Sequence, residues 1–161
     1  MTRSDTLTSN QLNEFILKNK ISAEILPMDG HTPTVEDAAR ELGVETDQII
    51  KSLVFMANGD PVLVINNGLA RVDRKKLAGI LGVGRKKVKF ADADRVVDIT
   101  GFVVGSMPPF GHRQKLRTLV DAAVPALDVV YGGGGDIDAM MRLTPAELLR
   151  ATAAEVVEIS E

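Results

Sequence analysis

Apolar positions change their spacing repeatedly along this chain, and each change predicts an element. Leu12, Phe15 and Ile16 share one side of a helix. Thr8, Ser9 and Asn10 offer caps before it, and the pattern fades near Asn19, which predicts a short amphipathic helix. Residues 23–28 read as a strand, and Asp29-Gly30-His31-Thr32-Pro33 as a turn. Thr34-Val35-Glu36-Asp37 resembles a capping box with Asp in place of Glu, and its helix stops at Gly43. Residues 49–56 and 62–65 are strand-like runs flanking Ala57-Asn58-Gly59-Asp60-Pro61, a hairpin signal. Asp73 caps a helix reaching Leu81, and a second short helix is predicted over 92–97. Residues 101–104, 116–120 and 127–131 lean towards β. Thr144-Pro145-Ala146-Glu147 is a capping box opening a helix to about Thr152, and 155–159 closes the chain as a strand. Short helices among hairpin-type strands predict an α+β fold: a mixed, partly closed, barrel-like sheet surrounded by helices.

Composition narrows the class. With 161 residues, 45% hydrophobic and 25% charged, and no linker or repeat, residues 1–161 read as one globular domain. The absence of Cys removes disulfides, thiol nucleophiles and cysteine-held metals. Only His31 and His112 remain as imidazoles, so neither a metal nor another cofactor is expected. No apolar run approaches the ~20 residues that span a bilayer. The N-terminus is polar where a signal peptide is apolar, so a cytoplasmic location without a membrane partner is expected.

Charge is more telling by place than by sum. Arg71, Arg74, Lys75, Lys76, Arg85, Lys86, Lys87 and Lys89 face only Asp73 in their stretch, a local charge of +7. The chain totals −3, so the remainder carries −10. Such a stretch is either a solvated face or a surface that meets a polyanion.

Nucleotide and hydrolase signatures fail. Ile137 stands where a dinucleotide fingerprint after Gly132 needs glycine, and there is no P-loop and no GxSxG elbow. Gly79-Ile80-Leu81-Gly82 has only the bare spacing of a GxxG clamp. Three features remain. Residues 101–112 form a glycine- and proline-rich loop that holds backbone amides able to bind an oxyanion. Residues 131–138 are glycine-dense and suit the wall of a pocket or a plain connection. Lys51 lies on the same strand face as Ile49, Leu53 and Phe55, so its ammonium must reach a cleft, a partner or an edge.

IIKSLVF (49–55), NGDPVLVI (58–65), DRKKLAGILG (73–82), GFVVGSMPPFGHRQKLRTLVD (101–121) and a glycine loop before LTPAELL occur in one order. In that order and spacing the chain resembles the YbaK family of aminoacyl-tRNA editing domains, related to the editing insertion of bacterial prolyl-tRNA synthetases. The resemblance implies hydrolysis, in trans, of the ester joining a wrong amino acid to tRNA. Cys-tRNA(Pro), or another small amino acid on tRNA(Pro), is the expected substrate, and prolyl-tRNA synthetase a possible partner; DNA is not. Lys51 matches the family lysine that holds the 3′-terminal nucleotide. Gly105, Ser106, Met107, Pro108 and Pro109 match its GxxxP loop, with Gly105 catalytic through its backbone.

Gly133, Gly134 and Asp138 fall on the loop that shapes the acyl pocket, where Asp138 either meets the substrate ammonium or faces water. Arg74, Lys75, Lys76, Arg85, Lys86 and Lys87 are then expected to meet the tRNA backbone. Positioned water and a stabilised oxyanion replace a protein nucleophile, with Ser106 the runner-up for that role. Lys51-Ser52-Leu53-Val54-Phe55 departs from the KNLFL of the Ala-tRNA branch and leans towards the broader YbaK-like group. The loop from Gly132 to Asp138 also departs from the Ser-Gly-Gly-Lys type, which leaves the amino acid open. A non-catalytic tRNA- or synthetase-binding module of the same fold is the rival reading.

Overall fold

The computed structural model describes residues 6–161; the first five residues of the polar N-terminal stretch lie outside it. Helix α1 (Ser9–Lys18) starts at a complete capping box, with the Gln11 side chain accepting from the Thr8 amide at 2.8 Å. Strand β1 (Ala23–Pro27) follows, then α2 (Val35–Leu42), where the Thr34 hydroxyl accepts from the Asp37 amide and Gly43, at φ +71°, ends the helix. Strands β2 (Ile50–Ala57) and β3 (Asp60–Asn67) form the expected hairpin. Asn58 and Gly59 both take positive φ, as a two-residue turn matching strand twist requires. Helix α3 (Arg74–Leu81) is capped by the Asp73 carboxylate. Then come β4 (Val88–Phe90), α4 (Ala93–Thr100), β5 (Arg117–Asp121), β6 (Val130–Gly133), β7 (Ala139–Leu143), α5 (Pro145–Thr152) and β8 (Glu155–Val157).

The α+β class holds, but the strands divide into two sheets. One has the order β4-β2-β3-β5-β8, with β5 parallel to both neighbours; the other is antiparallel, β1-β7-β6. An isolated bridge, Ile49 to Tyr131, joins them, and no closed barrel forms among the described residues. Strand β3 is covered on both faces. Leu63 and Ile65 pack into a core with Leu12, Ile16, Phe102 and Phe110, while Val62 and Val64 pack with Phe55, Val88 and Leu77 of α3. This is why 62–65 is a continuous apolar run rather than an alternating one.

Several expected boundaries move. Residues 101–104 are not a strand: Gly101, at φ +87°, caps α4, and the Phe102 amide bonds the Thr100 hydroxyl, turning the chain into a loop. The strand expected at 127–131 begins only at Val130, the helix at 92–97 continues to Thr100, and the last strand ends at Val157. Strands β4 and β7 carry no strong sequence signal and form through their partners. At α5 the capping box is half made: Thr144 accepts from the Glu147 amide, but the Glu147 carboxylate turns to Arg150 and the Ser22 amide. Those contacts hold its pKa down to about 2.

Candidate active site

Part of one edge of β2 has no strand beside it. Ile49 bridges β6 at one end, and Phe55, Met56 and Ala57 pair with β4 at the other. The Ile49 carbonyl accepts from Gly68 on the β3 side, and the Val54 carbonyl from Ala91 on the β4 side. Backbone groups alternate along a strand, so the N–H and C=O of Ser52 point into the gap between β6 and β4. A cavity of about 450 Å³ opens there, lined among others by Lys51, Ser52, Phe90, Gly105, Met107 and Gly133. The buried Ser52 hydroxyl has no partner among the described residues.

Lys51 is half-buried, and its Nζ donates to the Ala70 carbonyl, which also accepts from Asn66 Nδ2 at 3.1 Å. Asn66 is its cross-strand neighbour and is fully buried. Burial lowers the Lys51 pKa, and the positive charge of Arg71 lowers it further. The desolvated ammonium thus feels a second positive charge, an arrangement that an anionic group relieves.

The loop 101–112 supplies the opposite wall. Gly105, at φ +97°, is exposed, and a Cβ placed on it reaches His31 Nε2 at 3.5 Å. Behind it the loop rests directly on β6: a Cβ on Gly133 falls 2.0 Å from the Met107 carbonyl oxygen. Only glycine allows two backbones to lie this close. The loop is fixed by bonds of its own. The Gly135 amide donates to the Ser106 carbonyl at 3.0 Å, and the Ser106 hydroxyl donates to the Val103 carbonyl at 2.9 Å. His112 Nε2 donates to the Pro108 carbonyl at 2.8 Å, so the neutral ring carries its proton there; burial lowers its pKa.

The expected site residues thus sort into groups. Lys51, Gly105, Met107 and Gly133 line one cavity. Ser106 is buried beneath the loop with its hydroxyl engaged, and does not line it. Pro108 bonds His112, while Pro109 lines a separate cavity of about 250 Å³ with Phe15, Phe110 and His112. Gly134 packs against the Ala139 backbone. Asp138 is exposed and outside the cavity, its carbonyl accepting from the Met28 amide. Arg74, Lys75, Lys76, Arg85, Lys86 and Lys87 are all exposed on α3 and the turn after it. Arg74 reaches the cavity rim, lying 5.0 Å from the ring centroid of Phe90.

Sequence reasoning missed His31 beside Gly105, Arg71 beside Lys51, and the exposed rim residues Phe90 and Val104. Phe90 carried one readable signal: a large aromatic between Lys89 and Ala91, in a strand too short to bury it.

The mixed α+β fold thus places Lys51 and the Gly105 loop around one sheet-edge cavity, with exposed cations of α3 at its rim. The aminoacyl-tRNA editing domain model matches residues 29–151, and the chain belongs to that family. It is 27% identical over 128 residues to EbsC of Enterococcus faecalis, named as a candidate Cys-tRNA(Pro)/Cys-tRNA(Cys) deacylase, covering 79% of this chain and 77% of that one. It is 28% identical over 129 residues to the proline–tRNA ligase of a Thermoanaerobacter species; the match covers 78% of this chain but only 23% of the ligase. A crystal structure described as a candidate trans-editing enzyme for prolyl tRNA synthetase superposes with a TM-score of 0.89 at 29% identity, covering 95% and 96% of the two chains.

Proposed function

We propose that this chain is an aminoacyl-tRNA deacylase acting in trans on mischarged tRNA, with Cys-tRNA(Pro) or another small amino acid on tRNA(Pro) as substrate. The observation that carries the reading is the open edge of β2, where Lys51, the Gly105 loop and Gly133 line one cavity next to exposed cations. The similarity to EbsC supports the reaction class and the choice of tRNA.

In this reading Lys51, fixed through Ala70 and reinforced by the positive charge of Arg71, holds the sugar–phosphate of the terminal nucleotide. Amides of the Gly105 loop other than that of Ser106, which donates to the Val103 carbonyl, receive the ester carbonyl. Water attacks the carbonyl carbon, and the oxyanion that forms is stabilised by those amides. The bond to the ribose oxygen then breaks, the water's proton passes to that oxygen, and the free amino acid and the tRNA leave. An ester this labile needs positioning more than a protein nucleophile. With its hydroxyl held by the Val103 carbonyl, Ser106 is not assigned that role. The site of action is the cytoplasm, where charged tRNA is used, and prolyl-tRNA synthetase is the enzyme whose errors it clears.

The test is deacylation of tRNA(Pro) charged with Cys, Ala, Ser or Pro. One mischarged species is expected to be cleared rapidly, and Lys51→Ala to slow that clearance by about 100-fold or more, the size seen when one positioned polar group is lost. Binding of tRNA without turnover of any species would support a binding module instead.

A further inference from the structure

We infer that Phe90, backed by Phe55 and flanked by Arg74, is a stacking platform for a nucleobase of the single-stranded 3′ end that enters the cavity. This rests on the deacylase reading and adds the group that holds the base.

Phe90 is 53% exposed, and Val104, which lines the same cavity, is 63% exposed. Solvating an aromatic ring at a cavity rim is unfavourable, and the ring is nonetheless held in place. It stacks on Phe55 with centroids 4.4 Å apart and planes 28° from parallel, and Phe55 itself is fully buried. Arg74 lies over the same ring at 5.0 Å. Phe55 takes one face of the ring and the Arg74 guanidinium lies over the ring, so an incoming base stacks where the guanidinium now sits, with Arg74 swinging aside to a phosphate. Aromatic rings and guanidinium planes are the groups on which single-stranded bases stack.

Placement agrees with this. Phe90 pairs in register with Phe55, four residues along β2 from Lys51 and on its face, with Leu53 between them. Four residues of strand span about 13 Å. A nucleotide whose phosphate meets Lys51 and Arg71 therefore lays its base along Leu53 towards Phe90. The exposed cations of α3 and the turn after it are then available to the preceding backbone.

The experiment compares Phe90→Leu, which keeps apolar bulk but removes the π-face, with Phe90→Trp, which keeps it. Deacylation is measured alongside the fluorescence of tRNA(Pro) carrying 2-aminopurine in turn at each of its last three positions. Phe90→Leu is expected to raise KM about 10-fold with kcat within about 2-fold. It should also abolish the quenching of one 2-aminopurine position that wild type and Phe90→Trp both show. Thermal unfolding of each variant checks that packing on Phe55 is kept. Wild-type KM and quenching in Phe90→Leu would overturn the proposal, as would equal losses in both variants. If the wild type deacylates no species, the deacylase reading fails by itself, and the quenching series still decides whether a base stacks on Phe90.

Discussion

At the scale of single residues, the site depends on where a side chain is absent. Gly133 lets the Met107 carbonyl sit where a Cβ would be, 2.0 Å away, and neither backbone can yield without moving the loop that carries Gly105. Gly133→Ala is therefore expected to destabilise the protein by ~3 kcal/mol in urea unfolding, as overpacking a rigid site does, and to reduce deacylation in the folded fraction. Gly30→Ala, with open space around its Cβ and no positive φ, is the control and should change neither. The contrast explains what was legible. Lys51 stands out because a cation within an apolar strand is anomalous in one dimension. Gly133 stands out only as one of four glycines, since its reason is a carbonyl 26 positions earlier in the chain. For Asp138 the resemblance left two readings, the substrate ammonium or water, and in the structure the residue is exposed outside the cavity.

At the scale of elements, the 101–112 loop behaves as a part with its own fastening. His112 holds the Pro108 carbonyl through an Nε2 proton and sits edge-on to Phe102, its ring centroid 6.2 Å away. Burial disfavours the imidazolium and lowers its pKa in the folded protein, while the bond to Pro108 offsets this only in part. Below the ordinary value of 6.5 the unfolded chain takes up a proton that the folded chain refuses, so stability is fully present above 6.5 and falls as pH drops through that value. Chemical denaturation between pH 8 and pH 5 should show this fall. His112→Gln, which can still donate to Pro108 but does not titrate, should flatten it; an unchanged slope would assign the dependence to other groups. Chain pattern marked this segment as a loop through its glycines and prolines, but read 101–104 as β-leaning. Phe102 and Val103 have strand propensity, and the outcome was decided by the Thr100 hydroxyl and the Gly101 turn, local capping contacts that outweigh propensity. Strand β7 was missed for a different, long-range reason: Ala139–Leu143 becomes a strand by lying between β1 and β6.

At the scale of the whole molecule, an acidic protein meets an acidic polymer, and the arrangement of charge has to make that possible. The cations of the +7 stretch on α3 and the turn after it are exposed, and Arg74 reaches the cavity rim at Phe90, while −10 is spread over the rest. Long-range repulsion from the acidic remainder is screened beyond roughly 8 Å at physiological salt, whereas cations in contact with phosphates act at full strength. Under the proposed function, charge alone would orient the tRNA with its 3′ end towards Lys51. Binding carried by phosphate contacts releases counterions, so the logarithm of affinity should fall linearly with the logarithm of salt concentration. Removing Lys75 and Lys86 together, as Lys75→Gln with Lys86→Gln, should reduce that slope by about 2, roughly one for each phosphate no longer neutralised, and leave thermal unfolding unchanged because both side chains are exposed. The kcat for a mischarged tRNA should also stand, since neither residue lines the cavity. A slope unchanged in the double variant would mean that the tRNA approaches along a different face and that the basic stretch is only a solvated surface; a reduced slope with unchanged kcat would separate the part of the molecule that holds the polymer from the part that cuts the ester.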